Sequence, residues 1–134
     1  MQPIQVKYEN VFILDLNEPF TQGVESFYIK NIKDILDKRF YANGYWVGSI
    51  EETRIVEDKL YADIIINDYI LNDMIKRKTA YFRVVPRVDS TTRNKIEIDD
   101  RTEVILEDAV IFFMSAEYSI KYDATLVYKE SKKE

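Results

Sequence analysis

"VESFYIKNIKDILDKR", residues 24–39, decides the fold into which the rest of the chain is read. Val24, Phe27, Tyr28, Ile32, Ile35 and Leu36 recur at spacings of three and four, while Lys30, Lys33, Asp34 and Asp37 fall on the other side. The spacing predicts an amphipathic helix ending near Arg39. Pro19 and Gly23 mark a turn before it, and Thr21 stands as a possible cap.

Working outward, the signals change to those of strands. Residues 3–8 alternate and 11–16, "VFILDL", form a short apolar run, so two strands or one bent strand precede the helix. After it, Asn43-Gly44 is a turn dipeptide leading into an aromatic strand. Residues 53–68, "TRIVEDKLYADIIIND", read as a hairpin joined at Glu57-Asp58. "DYILNDMIKRK", residues 68–78, has helical spacing, Asp68 at its start and cations at its end, matching both ends of the helix dipole. "DSTTRN", residues 89–94, reads as a polar loop. Residues 95–113 supply two strands around Asp99-Asp100, and 116–129 a final strand, an edge or an arm onto a neighbour, before a frayed tail at 129–134. The expectation is a single domain, 1–134, of α+β class: a mainly antiparallel sheet or partly closed β-barrel with one long and one short helix. Its buried face is expected to hold Ile64, Ile66, Phe82, Val84, Val110 and Phe112, with Ile32, Ile35 and Leu36 of the long helix against it.

"RKTAYFRVVPRVD", residues 77–89, carries the feature that bears on function. In a strand, Tyr81, Arg83, Val85 and Arg87 share one face, and Phe82, Val84, Pro86 and Val88 the other. One face is core; the other holds two cations just after Lys76, Arg77 and Lys78. Arginine on a strand face suits a planar grip on carboxylate or phosphate, and the alternative is a solvated sheet whose arginines pair across strands with Glu or Asp. Tyr41, Tyr45 and Trp46 cluster at the Asn43-Gly44 turn, and Tyr118, Tyr122 and Tyr128 recur near the end. Such aromatics anchor interfaces at low entropic cost, and core packing accounts for some of them equally well. The partner-binding candidates are therefore Arg83, Arg87, Tyr81, Tyr45, Trp46, Tyr118 and Tyr122.

Composition narrows the chemistry. With no histidine and no cysteine, serine–histidine triads, thiol nucleophiles, and histidine or thiolate metal sites are excluded. The acidic pairs Glu51-Glu52, Glu57-Asp58, Asp99-Asp100 and Glu107-Asp108 lack Ca-loop spacing and read as solvated turn residues, so neither metal nor cofactor is expected. A net charge of −5 disfavours a long phosphate track, which makes nucleic acid the least favoured partner. There is no basic-then-apolar leader and no apolar run of the ~20 residues that span a bilayer, so a soluble protein made in a cytoplasm is expected.

The order of pieces, "VESFYIKNIKDILDK", "GYWVGSIEE", "DKLYADIIIND", "LNDMIKRK", "YFRVVPRV" and "ILEDAVIFFMSAE", resembles the tailed-bacteriophage prohead maturation proteases over about residues 11–117. In that family a helix precedes a Gly-Glu-x-x-His segment, and a later helix leads into the strand that carries the serine. Here those places read Gly48-Ser49-Ile50-Glu51-Glu52 and Tyr81-Phe82-Arg83-Val84-Val85, so both catalytic groups are missing. The resemblance implies a non-enzymatic relative, an auxiliary or decoration protein of the phage capsid, located in the virion and binding other capsid proteins or itself in an oligomeric assembly. The alternative is a small phage-encoded protein that binds and inhibits or redirects a host factor; a carboxylate-dependent enzyme comes third.

Overall fold

The computed structural model describes residues 5–77, 80–90, 92–120 and 125–126. Along these the elements are β1 (Val6–Asp15), β2 (Phe20–Gln22), β3 (Glu25–Ile29), β4 (Ile32–Ile35), β5 (Arg39–Ala42), β6 (Tyr45–Val56), β7 (Lys59–Ile66), α1 (Tyr69–Arg77), β8 (Ala80–Asp89), β9 (Thr92–Ile98), β10 (Arg101–Glu107), β11 (Ala109–Ile120) and β12 (Thr125–Leu126). Strand accounts for 71% of the structure and helix for 8%, so the α+β expectation is overturned in favour of a nearly all-sheet fold.

The long helix is where that expectation fails. Residues 24–39 form β3 and β4 and enter β5. Phe27 and Ile29 are buried by strand alternation, the chain crosses over at Lys30-Asn31, and Ile35 is buried on a second strand. Each interruption resets the phase of the alternation, and the reset imitates a three-and-four spacing. Val24 and Leu36, two of the supposed core positions, are exposed. The strands are held by parallel partners far along the chain: Tyr28 faces Ile105, Ile35 faces Ile111 and Phe40 faces Met114. At the crossover the Asn31 amide accepts from the Asp108 N–H at 2.8 Å and donates to the Asp108 carboxylate at 3.0 Å, locking the two kinks together.

The main sheet has the order β1-β7-β6-β5-β11-β8-β12, with β4 also on β11, and curls into a half-barrel. The second sheet has the order β2-β3-β10-β9, in which "DSTTRN" is no free loop, since β9 begins at Thr92. Two-residue turns at Asn43-Gly44, Glu57-Asp58 and Asp99-Asp100 all carry positive φ, which closes hairpins with the right twist. α1 begins where the Asp68 carboxylate accepts from the Leu71 N–H at 2.9 Å, and its Asn72 is buried, donating to the Ile66 carbonyl and accepting from the Tyr8 hydroxyl.

The curl has a local origin at Asp63 of β7. On one side Glu9 and Asn10 of β1 sit opposite this single residue; on the other side Glu51 and Glu52 of β6 do the same. Two residues against one make a β-bulge, and bulges bend and twist a sheet. Asp63 lies on the outer side yet is buried, because Arg54 folds over it with both terminal nitrogens at 2.9 and 2.8 Å and the Asn10 N–H donates at 3.0 Å. Arg54 also donates to the Asn10 side chain at 2.5 Å.

The core lies inside the curl. Ile64, Ile66, Phe82 and Val84 are buried there as expected from alternation. Val110 is only half-buried because Ala109 and Ile111 on either side of it take the inner positions, and Phe112 is exposed because a register shift between Ile111 and Phe113 puts an extra residue into β11, so Met114 is the next to point inward. Among the described residues, no helix is long and apolar enough to cross a membrane.

Candidate protein-binding face

The outer side of the half-barrel carries the candidate site. β8 alternates with Phe82, Val84, Pro86 and Val88 buried, and with Arg83 and Arg87 exposed around half-buried Val85. The cross-strand register aligns that outer face with three neighbours: Val85 faces Ser115 of β11, Ser115 faces Tyr41 of β5, and Tyr41 faces Trp46 of β6. One step along, Arg87 faces Phe113; one step the other way, Arg83 faces Glu117.

Aromatic and cationic groups interleave across this face. The Arg39 guanidinium lies 5.7 Å from the Tyr41 ring centre and 5.4 Å from that of Trp46, within cation–π range. Tyr41 meets Phe113 edge-on at 6.1 Å. Trp46 is 66% exposed, and its indole N–H donates to the Gly48 carbonyl at 2.8 Å, which fixes the ring against its own strand. Asp37 orients the cluster by accepting from Arg39 at 3.0 Å and from the Tyr41 hydroxyl at 2.6 Å. The Arg39 bond first, and the Tyr41 bond second, hold the Asp37 carboxyl down to about 2. The same bond pushes the Tyr41 phenol up.

The two arginines of β8 are not equivalent. Arg83 donates from two nitrogens to Glu117 Oε1 at 2.9 and 2.5 Å, so for this residue cross-strand pairing applies. Both partners are well exposed, and such pairs contribute about 0–1 kcal/mol. Arg87 makes no ion pair or hydrogen bond among the described residues. It lines a groove of about 540 Å³ between the outer face and the β2–β3 hairpin, with Phe20, Val85, Phe113 and Glu117 around it. The hairpin is tied down by Gln22, whose carboxamide donates to the Val88 carbonyl at 3.0 Å and accepts from the Val88 N–H at 2.8 Å.

The other sequence candidates separate. Tyr45 is 74% exposed at the rim, opposite Ala42. Tyr118 is on the inner side, apart from the outer face: its ring is 4.8 Å from buried Phe82 and its hydroxyl accepts from Asn43. Tyr81 is in β8 with its side chain outside the described residues, as Tyr122 and Tyr128 are altogether. Sequence reading missed Arg39 and Phe113 as members of this face, and grouped Tyr41 with the turn aromatics without carrying it into the partner-binding set. Alternation within "RFYA" could have joined Arg39 to Tyr41, had Arg39 not been read as the end of a helix.

No group of three or more acidic residues that could hold a metal ion occurs among the described residues. Glu57-Asp58 and Asp99-Asp100 are hairpin turns, Glu51-Glu52 is a bulge, and Glu107-Asp108 lies at the β10–β11 junction. No protein-family model and no curated protein matches the chain.

Proposed function

We propose that the protein is a non-enzymatic binding module that docks a partner protein through the outer face of β6, β5, β11 and β8. The observation that carries this reading is the meeting of exposed Trp46 and Phe113 and half-buried Tyr41 with stacked Arg39 and with Arg87, whose guanidinium has no hydrogen bond or ion pair among the described residues. Trp, Tyr and Arg are the residues most enriched where a few contacts dominate binding. An exposed guanidinium in a groove walled by phenyl rings fits a carboxylate carried beside an apolar side chain, which is an acidic protein segment. The setting we propose is a phage particle, with an auxiliary capsid protein role; this rests on the order of the sequence segments alone, since the helix with which the resembled family opens is β3 and β4 here.

The test is co-sedimentation with purified particles, beside a melting curve. Arg83→Glu with Arg87→Glu, and separately Trp46→Ala, are expected to weaken association by at least about 30-fold, corresponding to a dominant contact worth roughly 2 kcal/mol. The variants should still fold, since the substituted side chains are exposed. Association unchanged in both would place the interface elsewhere. A wild-type chain that binds an acidic peptide but no particle would retain the binding face and remove the capsid setting.

A further inference from the structure

β9 is the outer strand of the second sheet. It pairs with β10 along its whole length, Thr92 with Glu107 through to Ile98 with Arg101, whereas β3 reaches β10 only at Ile105 and Leu106. Most of the β9–β10 hairpin is therefore a two-stranded arm, and Arg93 to Ile98 are all exposed. Such a ribbon is marginal alone in water, and its free edge offers unpaired N–H and C=O groups to another strand. Ile96 and Ile98 add exposed apolar surface.

The charges on this edge are divided. Arg93 bonds Glu25 at 2.8 Å and Asp89 at 3.2 Å, which fixes the base of the arm. Lys95 and Glu97 form no ion pair among the described residues. They lie two apart and so share a face, while Asn94, Ile96 and Ile98 share the other.

We propose that β9 pairs antiparallel with β9 of a second copy of this chain, with Ile96 opposite its own symmetry mate. In that register Lys95 faces Glu97 of the second copy, Glu97 faces Lys95 of the second copy, and Asn94 faces Ile98. The neighbouring registers are poorer: centring on Lys95 sets lysine against lysine and turns Glu97 to an Arg93 that Glu25 and Asp89 already hold, centring on Glu97 sets glutamate against glutamate, and the half-steps leave both charges facing neutral residues. Opposite charges directly across a ladder stabilise it and like charges destabilise it. The contact is isologous and closed, as a two-fold dimer requires, and joins the two four-stranded sheets into one of eight. It is separate from the outer face of the half-barrel and does not depend on what binds there.

Sedimentation velocity of the full chain from micromolar to millimolar concentration tests it. The wild type is expected to self-associate with a concentration-dependent sedimentation coefficient. Lys95→Glu sets two glutamate pairs opposite each other and should raise the dissociation constant by at least about tenfold. Adding Glu97→Lys to it exchanges the charges, keeps opposite signs facing, and should restore association. A wild type that stays monomeric throughout means that Lys95 guards the edge, which overturns the proposal. So does a dimer that Lys95→Glu leaves intact, or one that the double exchange fails to recover while circular dichroism shows native sheet.

Discussion

Gly48→Ala is expected to lower the melting temperature by roughly 10 °C or more, the equivalent of about 3 kcal/mol in a domain of this size. Gly48 lies in mid-sheet, opposite Ile66 of β7 on one side and Phe40 of β5 on the other. A Cβ there would lie 1.8 Å from the Ile65 carbonyl oxygen, 2.9 Å from its carbon and 3.0 Å from the Ile66 Cα. All three are backbone atoms, so no side chain can rotate away, and β6 must part from β7. The reason for glycine is space, since its φ is not positive. Because the Gly48 carbonyl also receives the indole N–H of the sole tryptophan, emission from Trp46 should shift in the same variant. Parallel melts by fluorescence and circular dichroism check this; a melting temperature within about 2 °C of wild type would show that β6 and β7 are not paired in this register.

The second large effect is expected at Asp63. Asp63→Ala removes the bidentate partner of the Arg54 fork and one hydrogen bond from the Asn10 N–H, at a cost of about 2–3 kcal/mol. The lower part of that range applies because the Arg54 side chain is 33% exposed, against 6% for Asp63. Asp63→Asn separates charge from shape. Hydrogen bonding from Arg54 first, helped by the Asn10 N–H, holds the Asp63 carboxyl down to about 2 despite its burial. A carboxyl lowered on folding stabilises the native state above its unfolded value near 3.8, and that contribution is lost as pH falls through the folded value near 2. Denaturant melts of wild type and Asp63→Asn should thus differ by about 2 kcal/mol at pH 7 and converge between pH ~4 and ~2. The comparison cancels Asp37, which titrates over the same range in both proteins. A gap that persisted at pH 2 would mean that the ion pair is not what Asp63 contributes.

What could be read from sequence was what is decided locally. The alternation that buries Phe82, Val84 and Val88 and exposes Arg83 and Arg87 needs only the strand's own period of two. The hairpins at Glu57-Asp58 and Asp99-Asp100 announce themselves at the turn, and α1 carries Asp68 at its cap. Residues 24–39 could not be read this way, because beyond the short β2–β3 hairpin their strand partners lie in β10 and β11, which no local window contains. Phe112 misleads for a related reason: one inserted residue moves every later side chain of β11 to the other face. The binding face suffered from both, since Arg39 lay at the end of the supposed helix and Phe113 beyond the bulge.

The parallel ribbon of β3, β4 and β5 against β10 and β11 fixes the order in which a ribosome can complete this protein. Asn31 and Asp108 are separated by 77 positions, so at ~5–20 residues per second the first strand of each pair waits roughly 4 to 15 s for its mate to be synthesised. During that interval the β6–β7 hairpin can close on its own turn, while β3 has only the three-residue β2 beside it, and β4 has no partner but a spacing that favours a helical turn. The nascent chain must therefore carry an apolar, strand-destined segment without its parallel partners until β10 and β11 have been synthesised, and any helix formed there has to be undone before the half-barrel closes.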